Sequence, residues 1–484
     1  MSLSIKRLAG ETVIYGATTM VGRLLNWLLM PFYIRVIAPE EYGVIINIYS
    51  FISILLVVFT YGMETGFFRF SREKNDQDVY KTTLSILGIS SLLLIVLSFS
   101  FANKISLYFY DGNYSVSIVL VGVIVALDSL LSIPFAKLRL DNRPIKFGFI
   151  KLISIFCNIA FNIIFLVVIP YLIDKLYLPE GFVSMYKQGN GVFYVILSNL
   201  LSSLVSVFIF IPDFIRVKGS FSPYILMRML RYSWPVLVVG ITGMITQNAD
   251  KILIPKLIKE NGFVELAIYG ANFKIGVLMS LFTQSFRFAF EPYFFNNREK
   301  GIDSYAKVME YFVAFGLFIF LGITVFQDLV NILFTSEYLR GNIIIPYVLV
   351  AMLFYGIYFN LSVWYKLSDK TIFGAIFGVM GMIVTVALDF ILIPKMGIMG
   401  GAIAMLCGYS LMVISSYFVG QKHYYIPYNL KVIGLYFIIA VLIFYLNGLI
   451  VVESIFLKYL IKVFIFLAFP LFFVFYNRLK TKYA

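Results

Sequence analysis

Long apolar stretches separated by short polar segments fill the sequence. A helix that crosses the apolar core of a bilayer needs about 20 mainly apolar residues. About fourteen stretches reach that length, near residues 12–34, 42–64, 80–103, 115–137, 146–169, 191–212, 228–254, 263–288, 306–327, 342–365, 371–393, 398–419, 430–449 and 455–476. Strands of a membrane barrel would be about 10 residues long and would alternate in polarity. The pattern therefore predicts an all-α integral membrane protein with about fourteen transmembrane helices.

Part of this pattern occurs twice, with a constant offset of 227 residues, the distance from Tyr42 to Tyr269. The repeated elements are a Tyr-Gly pair and a later Glu-x-x-Phe-Phe motif, at Tyr42-Gly43 and Glu64–Phe68, and again at Tyr269-Gly270 and Glu291–Phe295. Six predicted spans, an even number, separate the copies, so both copies would have the same orientation in the membrane. Chance similarity between two apolar stretches is the alternative.

The duplication predicts two parallel six-helix repeats followed by two further helices. The expected boundaries are residues 1–215 for the N-terminal lobe, 216–424 for the C-terminal lobe and 425–484 for the additional pair. Internally duplicated membrane proteins with acidic residues in matching places are candidates for transporters.

The composition supports a membrane protein without a sizeable domain outside the bilayer. Of the 484 residues, 61% are hydrophobic and 13% are charged, and the mean hydropathy is +0.91, which excludes an ordinary soluble domain. The segments between predicted spans are too short to fold alone. A phosphate-binding loop of the G-x-x-x-x-G-K-[ST] type does not occur in the sequence, so we expect an ion gradient or consumption of the product to supply the energy.

The net charge of +14 is explained best by membrane topology. With a cytoplasmic N-terminus, 25 of the 39 Lys and Arg residues fall in inside segments and 10 in outside segments. Positive charge is enriched in cytoplasmic loops, so this bias predicts that both termini are cytoplasmic. Nucleic-acid binding is the weaker interpretation because no basic domain exists outside the predicted spans.

Catalytic chemistry finds little support among the candidate residues. Cys157 and Cys407 both fall within predicted spans, and His423, the single histidine, lies in a short loop. One histidine at the membrane edge cannot form a triad with cysteines at other depths. We expect no enzyme, no bound metal and no cofactor, with a coupling cation such as H⁺ or Na⁺ as an open option.

Charged and polar residues inside the first and seventh predicted spans occupy equivalent positions. Arg23 and Asn26 share one face of the first span, and Asp250 is the counterpart of Arg23 in the second copy. Gln247 and Lys251 belong to the same polar face as Asp250. Such residues are costly in lipid and normally face a cavity or a partner. They form either a salt bridge that locks the helices or a pair that responds to substrate or protons.

The eighth predicted span carries a polar stripe that is weaker in its counterpart. Ser280, Gln284, Arg287 and Glu291 follow a helical spacing, with Lys274 near the outer half of the span. Several intramembrane cations indicate an anionic substrate group such as a phosphate or diphosphate. The candidate substrate or cavity residues are Arg23, Asn26, Glu64, Asp128, Gln247, Asp250, Lys251, Lys274, Gln284, Arg287 and Glu291.

Three other charges lie within predicted spans. Lys151 is a further intramembrane cation, Asp389 fits an interfacial position near the outer end of its helix, and Lys462 is expected to extend its ammonium group to the membrane surface.

Five short motifs resemble those of bacterial polysaccharide flippases. They are Gly62–Phe70 (GMETGFFRF), Asn248–Ile254 (NADKILI), Tyr269–Ile275 (YGANFKI), Phe286–Pro292 (FRFAFEP) and Asp389–Ala402 (DFILIPKMGIMGGA). Over essentially its whole length the chain is similar to the O-antigen and capsule repeat-unit flippases, the Wzx type, of the multidrug/oligosaccharidyl-lipid/polysaccharide exporter superfamily. It departs from that pattern at Asp389, where an asparagine is usual.

The resemblance implies a two-lobed fold with a central cavity, in the bacterial inner membrane. It implies alternating-access transport of undecaprenyl-diphosphate-linked oligosaccharide repeat units to the periplasmic leaflet, for surface polysaccharide or lipopolysaccharide O-antigen synthesis. Arg23, Lys251, Lys274 and Arg287 match the cationic residues that would receive the diphosphate or acidic sugars. The implied partners are the lipid-linked glycan, the lipid bilayer, and the polysaccharide polymerase with its chain-length machinery.

Three alternatives remain open from the sequence. A lipid II flippase shares the fourteen-span plan, and a cation-coupled drug exporter of the same superfamily would normally have about twelve spans. A membrane glycosyltransferase or polymerase would use the same lipid but needs a large periplasmic loop, for which no segment is long enough.

Overall fold

The computed structural model describes residues 3–73, 76–175, 179–187, 190–296, 302–368, 370–450 and 452–483. Within these ranges the side chains of residues 3–14, 73, 182, 187, 288–296, 477 and 479–483 lie outside the described part. The described residues form helices and turns and no strands, which confirms the predicted all-α fold.

The chain divides into two compact units, Met1–Ala267 and Ile268–Ala484. The helices of the first unit are α1 (Leu3–Val36), α2 (Pro39–Thr60), α3 (Met63–Glu73), α4 (Asp76–Tyr110), α5 (Ser115–Leu140), α6 (Pro144–Ile163), α7 (Ile169–Lys175), α8 (Glu180–Lys187), α9 (Gly191–Ile215) and α10 (Pro223–Leu257). A π-helical turn, Ile164–Val168, joins α6 to α7.

Helix α11 (Gly262–Asn296) crosses the division between the units. The helices of the second unit are α12 (Asp303–Val325), α13 (Gln327–Val330), α14 (Ile345–Leu361), α15 (Val363–Leu367), α16 (Ile372–Met396), α17 (Ile398–His423), α18 (Leu430–Gly448) and α19 (Ile455–Tyr483), with 3-10 turns at Asn331–Leu333 and Ser336–Ile344. The predicted lobe boundaries at 215 and 424 remain predictions.

Thirteen helices in the described part of the chain are long and apolar enough to cross a membrane. Each of the fourteen predicted spans coincides with one helix or with consecutive helical segments of the structure, and the first of them, in α1, is not among the thirteen. Proline at the start of α2, α6 and α10 is compatible with helix initiation, because the first helical N–H groups lack an acceptor within the helix. The chain is therefore a multi-pass membrane protein.

Helix α5 is the centre of the first unit. It packs against α4, α9, α2 and α3, and α9 in turn packs against α6, which contacts α1. Helix α10 packs against α2 and α3 within the same unit. In the second unit α14, α16 and α17 pack together, and α12 packs against α14, α18 and α19. The apolar side chains that remain exposed on these helices suit contact with lipid.

The second predicted span is broken into two helices. Helix α2 ends at Thr60. The next two residues, Tyr61 and Gly62, have φ values of 31° and 70°. Positive φ is unfavourable for a tyrosine and easy for a glycine, so the pair forms a sharp left-handed turn. The chain restarts as α3 at Met63, which places Glu64 in the first turn of a new helix. In the second copy α11 continues without a break through Asn296.

The repeated Tyr-Gly pairs are packing positions. Tyr42 and Tyr269 are both fully buried, each inside its own unit. Gly43 lies against the backbone of Phe263, where a Cβ atom would come within 1.9 Å of the carbonyl oxygen. Helix α2 can approach the start of α11 this closely only because residue 43 has no side chain.

Candidate functional site

A polar cavity of about 580 Å³ opens among the helices of the first unit. Helices α1, α2, α3, α5, α6 and α9 contribute its walls. Its charged and polar lining residues are Asn26, Thr60, Glu64, Asp128, Ser132, Arg139, Lys151, Ser154, Asn158, Asn199, Ser202, Ser203 and Ser206. So many polar side chains within membrane-spanning helices are energetically costly unless water or a ligand contacts them. We call this space the polar cavity.

An ion pair joins two helices at the wall of the polar cavity. Arg139, near the end of α5, donates from Nη2 to Oε1 of Glu64 at 2.5 Å. The guanidinium also lies 5.2 Å from the ring centroid of Phe68 and 5.8 Å from that of Phe147. The side chains of Arg139 and Glu64 are 33% and 40% exposed, so water or a ligand reaches both. The aromatic rings and the carboxylate together fix the direction of the guanidinium.

Two further charged side chains, on α5 and α6, line the polar cavity. Asp128 of α5 accepts a hydrogen bond from Oγ of Ser203 in α9 at 2.8 Å. The ammonium group of Lys151 in α6 lies 4.5 Å from the ring centroid of Phe135. Both side chains line the polar cavity, which therefore contains two carboxylates and two cations.

Hydroxyl and amide groups form much of the remaining wall. Ser154 of α6 and Ser202 of α9 are hydrogen-bonded to each other, with 2.8 Å between their Oγ atoms. Asn199 donates to the hydroxyl of Tyr49 at 3.1 Å. Serine and asparagine can donate and accept, so this wall offers both kinds of partner to a hydroxylated ligand.

Three of the predicted site residues come together in the polar cavity: Asn26, Glu64 and Asp128. Arg23 lies on the exposed surface of α1, about one turn before Asn26. Its predicted pairing with Asp250 remains a prediction.

Asp250 and Lys251 form a buried ion pair in α10. Nζ of Lys251 lies 3.0 Å from Oδ1 of Asp250 and donates to the carbonyl of Gln247 at 2.7 Å. The carbonyl of Lys251 accepts from Asn47 of α2 at 2.8 Å, and Asn47 accepts from the hydroxyl of Tyr110 at 2.7 Å. This chain of contacts ties α10 to α2 and α4, and none of the three predicted residues lines the polar cavity.

The remaining predicted residues lie in the second unit, on α11. Lys274 and Gln284 are partly buried, and Arg287 is exposed with its guanidinium 4.7 Å from the ring centroid of Phe359. The side chain of Glu291 lies outside the described residues. The substrate roles predicted for these side chains remain predictions.

Lys462 extends its ammonium group to the segment that follows α12, and its expected position at the membrane surface remains a prediction. Its side chain is 6% exposed and donates to Oδ2 of Asp328 at 2.6 Å, and Lys458 donates to the same oxygen at 2.8 Å. The two lysines hold the pKa of Asp328 below its ordinary value through these hydrogen bonds. Asp328 therefore fastens α19 to the segment that follows α12. Asp389, expected at the membrane interface, is fully buried in α16.

Sequence reasoning did not select Arg139, Lys151 or the serines of α9 as site residues. Arg139 falls just outside the predicted span 115–137, whereas α5 extends to Leu140 and keeps it on the helix. Two of the serines could have been found from their spacing, because Ser202 and Ser206 lie four residues apart in an apolar helix, whereas Ser203 does not follow that interval.

Among the described residues, no three side chains of the types His, Cys, Asp or Glu come together as metal ligands. A coupling cation therefore remains a prediction. The carboxylates available for one in the polar cavity are Glu64 and Asp128.

Comparison with known proteins identifies the fold. The family model described as polysaccharide biosynthesis protein matches residues 8–298, more than half of the chain. The solved structure of the lipid II flippase MurJ in an inward closed conformation superposes with a TM-score of 0.71 at 19% identity, covering 96% of this chain and 99% of that one.

Drug transporters are also similar in structure. An inward-facing multidrug resistance MATE family transporter of the MOP superfamily gives a TM-score of 0.62 at 15% identity, covering 85% of this chain and 97% of the other. No curated protein sequence matches the chain. At these identities the solved structures establish the MurJ/MATE-like fold and leave the substrate open.

Proposed function

The chain belongs to the family of polysaccharide biosynthesis proteins, and on that premise we propose that it is a flippase for lipid-linked glycans. Its substrate would be an undecaprenyl-diphosphate-linked oligosaccharide repeat unit. The protein would carry this unit from the cytoplasmic to the periplasmic leaflet of the bacterial inner membrane during surface polysaccharide or O-antigen synthesis. Its role would be transport and not catalysis.

The observation that supports the proposal most is the mixed chemistry of the polar cavity. A diphosphate cannot cross hydrocarbon unaided, because burying its charge there is very costly. Arg139 offers a planar pair of donors that suits a phosphate, and Lys151 offers a point charge. The serine and asparagine side chains of α6 and α9 suit sugar hydroxyl groups.

A division of roles follows from these contacts. The isoprenoid chain of the substrate stays in the bilayer, and only its polar head enters the polar cavity. Glu64 holds the guanidinium of Arg139 in place until a phosphate competes for it, because both partners are accessible. The polar cavity then opens alternately to each side of the membrane, as expected for transporters built from repeats.

Coupling to a cation gradient would use the carboxylates that face the same space. Asp128, hydrogen-bonded to Ser203, is the stronger candidate because Glu64 is already paired with a cation. A proton or Na⁺ taken up there would change the net charge of the polar cavity during the cycle.

A lipid II flippase is the second candidate. It is favoured by the similarity to MurJ, which extends over 96% of this chain and therefore includes the two C-terminal helices. Lipid II also combines an undecaprenyl diphosphate with sugars, so the polar cavity suits both substrates. The binding of a polysaccharide polymerase or of chain-length machinery remains a prediction.

Transport by purified protein in liposomes tests the proposal. The vesicles would contain undecaprenyl-diphosphate-linked repeat units in both leaflets, with a membrane-impermeant oxidant of sugars added outside. Wild-type protein should make the inner-leaflet pool accessible, and Lys151→Met should slow this strongly. Lys104→Met, in an exposed lysine beside Phe101, is the matched control. Equal protection with and without protein would contradict a flippase, and faster transport of lipid II than of repeat units would favour the second candidate.

A further inference from the structure

A second cavity of about 610 Å³ lies at the N-terminal end of α5, opposite the end that carries Arg139. The turn between α4 and α5, the π-helical turn after α6, helix α8 and the start of α9 surround it. We call it the aromatic pocket and define it by Asn113, Tyr114, Phe165, Tyr186, Phe193 and Tyr194. It shares no lining residue with the polar cavity.

Stacked rings form one wall of the aromatic pocket. The ring of Tyr194 stacks on that of Tyr186, with centroids 4.7 Å apart and an interplanar angle of 18°. Phe165 stacks on Tyr194 at 5.4 Å and 25°. Tyr194 is buried, whereas Tyr186 and Phe165 are partly exposed. The three nearly parallel rings therefore pack as one stack, in which each ring restricts the rotation of its neighbour.

Two hydrogen bonds fix this stack to the backbone. The hydroxyl of Tyr186 donates to the carbonyl of Phe165 at 2.5 Å, and the hydroxyl of Tyr194 donates to the carbonyl of Tyr186 at 2.6 Å. Phe165 belongs to the π-helical turn Ile164–Val168. A π-turn interrupts the regular ladder of helical hydrogen bonds and is frequent at functional sites. Here Tyr186 supplies a donor to that turn and holds α8 over the aromatic pocket.

The chemistry of the lining favours a neutral, hydroxylated ligand. None of the described residues that line the aromatic pocket is charged. Asn113, Ser115 and Asn190 contribute polar side chains beside the rings. A diphosphate would find no cation there, and a hydrocarbon chain would leave the amides without partners. A sugar ring satisfies both parts, because its C–H face packs on an aromatic face and its hydroxyls reach amides and hydroxyls.

We propose that the aromatic pocket binds a neutral sugar ring of the transported glycan. It lies on the side of the membrane that the charge distribution predicts to be periplasmic, so it would hold the glycan after translocation. This inference rests on the proposed function, which supplies the glycan. Binding there would slow return of the substrate head into the polar cavity.

Titration of the full-length protein in lipid nanodiscs tests this site. The probe is the soluble oligosaccharide repeat unit released from the host's surface polysaccharide, and its dissociation constant is measured by saturation-transfer NMR. Tyr186→Ala removes one ring of the stack and should weaken binding about fivefold or more. Tyr186→Phe keeps the ring but loses the hydroxyl that donates to Phe165, so it should bind more weakly than the wild type and more tightly than Tyr186→Ala. Tyr171→Ala removes an exposed tyrosine of α7 that does not line the aromatic pocket, and it should leave binding unchanged.

Several results would overturn the assignment. The assignment is wrong if the wild type does not bind the oligosaccharide, or if Tyr186→Ala binds it as tightly as the wild type does. It is also wrong if Tyr186→Ala and Tyr171→Ala lose the same amount of affinity. Displacement of the oligosaccharide by undecaprenyl phosphate would identify a lipid tail as the occupant. Transport in liposomes is measured in parallel. If the wild type transports the substrate but does not bind the soluble oligosaccharide, only the assignment of the aromatic pocket is wrong. If the wild type binds the oligosaccharide but does not transport the substrate, only the proposed function is wrong.

Discussion

Arg139 of α5 and Glu64 of α3 are joined by an ion pair that depends on the break in the second span. The carboxylate reaches the guanidinium, 2.5 Å from Nη2 to Oε1, because Tyr61 and Gly62 turn the chain and start a new helix at Met63. The pair connects two helices at the polar cavity and remains accessible to a ligand.

Breaking this pair should impair transport more than stability. Each partner is more than 30% exposed, and such pairs contribute about 1 kcal/mol or less to folding. A charge-assisted contact to substrate is worth about 1.5–3 kcal/mol, so Arg139→Ala should reduce transport roughly tenfold or more. The double variant Glu64→Arg with Arg139→Glu should recover part of the activity. Transport in liposomes and thermal unfolding measure the two effects.

A matched ion pair on the same helix is the control for that experiment. Lys137 of α5 pairs with Asp76 at 3.0 Å with similar exposure, and neither residue lines the polar cavity. Lys137→Ala should leave transport near the wild-type level. If Lys137→Ala lost as much transport activity as Arg139→Ala, the role assigned to the ion pair of Arg139 and Glu64 would be wrong.

Removing the hydroxyl that binds Asp128 should change transport. Ser203→Ala deletes the donor 2.8 Å from Oδ1, and a hydrogen bond to a charged group is worth about 1.5–3 kcal/mol. We expect a clear loss of transport, with a changed dependence on the external pH or Na⁺ concentration. Initial rates over a range of both concentrations measure this.

Ser198 of the same helix is the control for Ser203. It is buried and donates to the carbonyl of Tyr194 in its own helix, outside the polar cavity. Ser198→Ala should keep the wild-type rate and ion dependence. An unchanged ion dependence in Ser203→Ala would count against Asp128 as the coupling group.

A methyl group at Gly43 should destabilise the first unit. Its Cβ would lie 1.9 Å from the carbonyl oxygen of Phe263, and a backbone atom cannot move aside cheaply. Overpacking of this kind costs about 1–3 kcal/mol, so Gly43→Ala should lower the melting temperature of the purified protein. Gly88→Ala, in the middle of α4 with open space around it, should be neutral or stabilising. Equal melting temperatures for the two variants would contradict the close contact.

Lowering the pH should weaken the ion pairs between Asp328 and the lysines of α19. The pKa of Asp328 is below its ordinary value because Lys458 and Lys462 donate to the carboxylate. The stabilisation is therefore complete above the ordinary pKa of about 4, and it is lost as the pH falls through the lowered value. Asp328→Asn should be less stable than the wild type at neutral pH, and the difference should narrow below about pH 4. Thermal unfolding as a function of pH measures it.

The size of that pH effect should be modest because the side chain of Asp328 is 39% exposed. Glu453→Gln changes an exposed carboxylate in the segment before α19 and is the control. A constant difference between Asp328→Asn and the wild type at all pH values would contradict the ion-pair explanation.

The apolar pattern predicted the helices well because a membrane span must satisfy its backbone hydrogen bonds internally. It could not show the break at Tyr61-Gly62, since the apolar run continues through the turn and the conformation is fixed by packing. The counterpart segment of α11 has no break, so comparison of the two copies could not predict the break either.

The site was predicted only in part. Glu64 and Asp128 were recognised as charges within spans, but their partners lie 75 residues away in the sequence for both pairs. Spacing along one helix cannot reveal such contacts. Asp250 and Lys251 were selected by the same rule and form a buried pair that links helices, so an intramembrane charge by itself does not distinguish packing from binding.

The most direct test of the central claim is the leaflet distribution of the lipid-linked repeat unit in cells depleted of this protein. Spheroplasts would be treated with a membrane-impermeant sugar oxidant, and the fraction of modified undecaprenyl-diphosphate-linked oligosaccharide measured. We predict that depletion leaves the units intact and accumulated, and that re-expression of the wild type, but not of Arg139→Ala, restores modification. Modification at the wild-type level in depleted cells would contradict the flippase assignment.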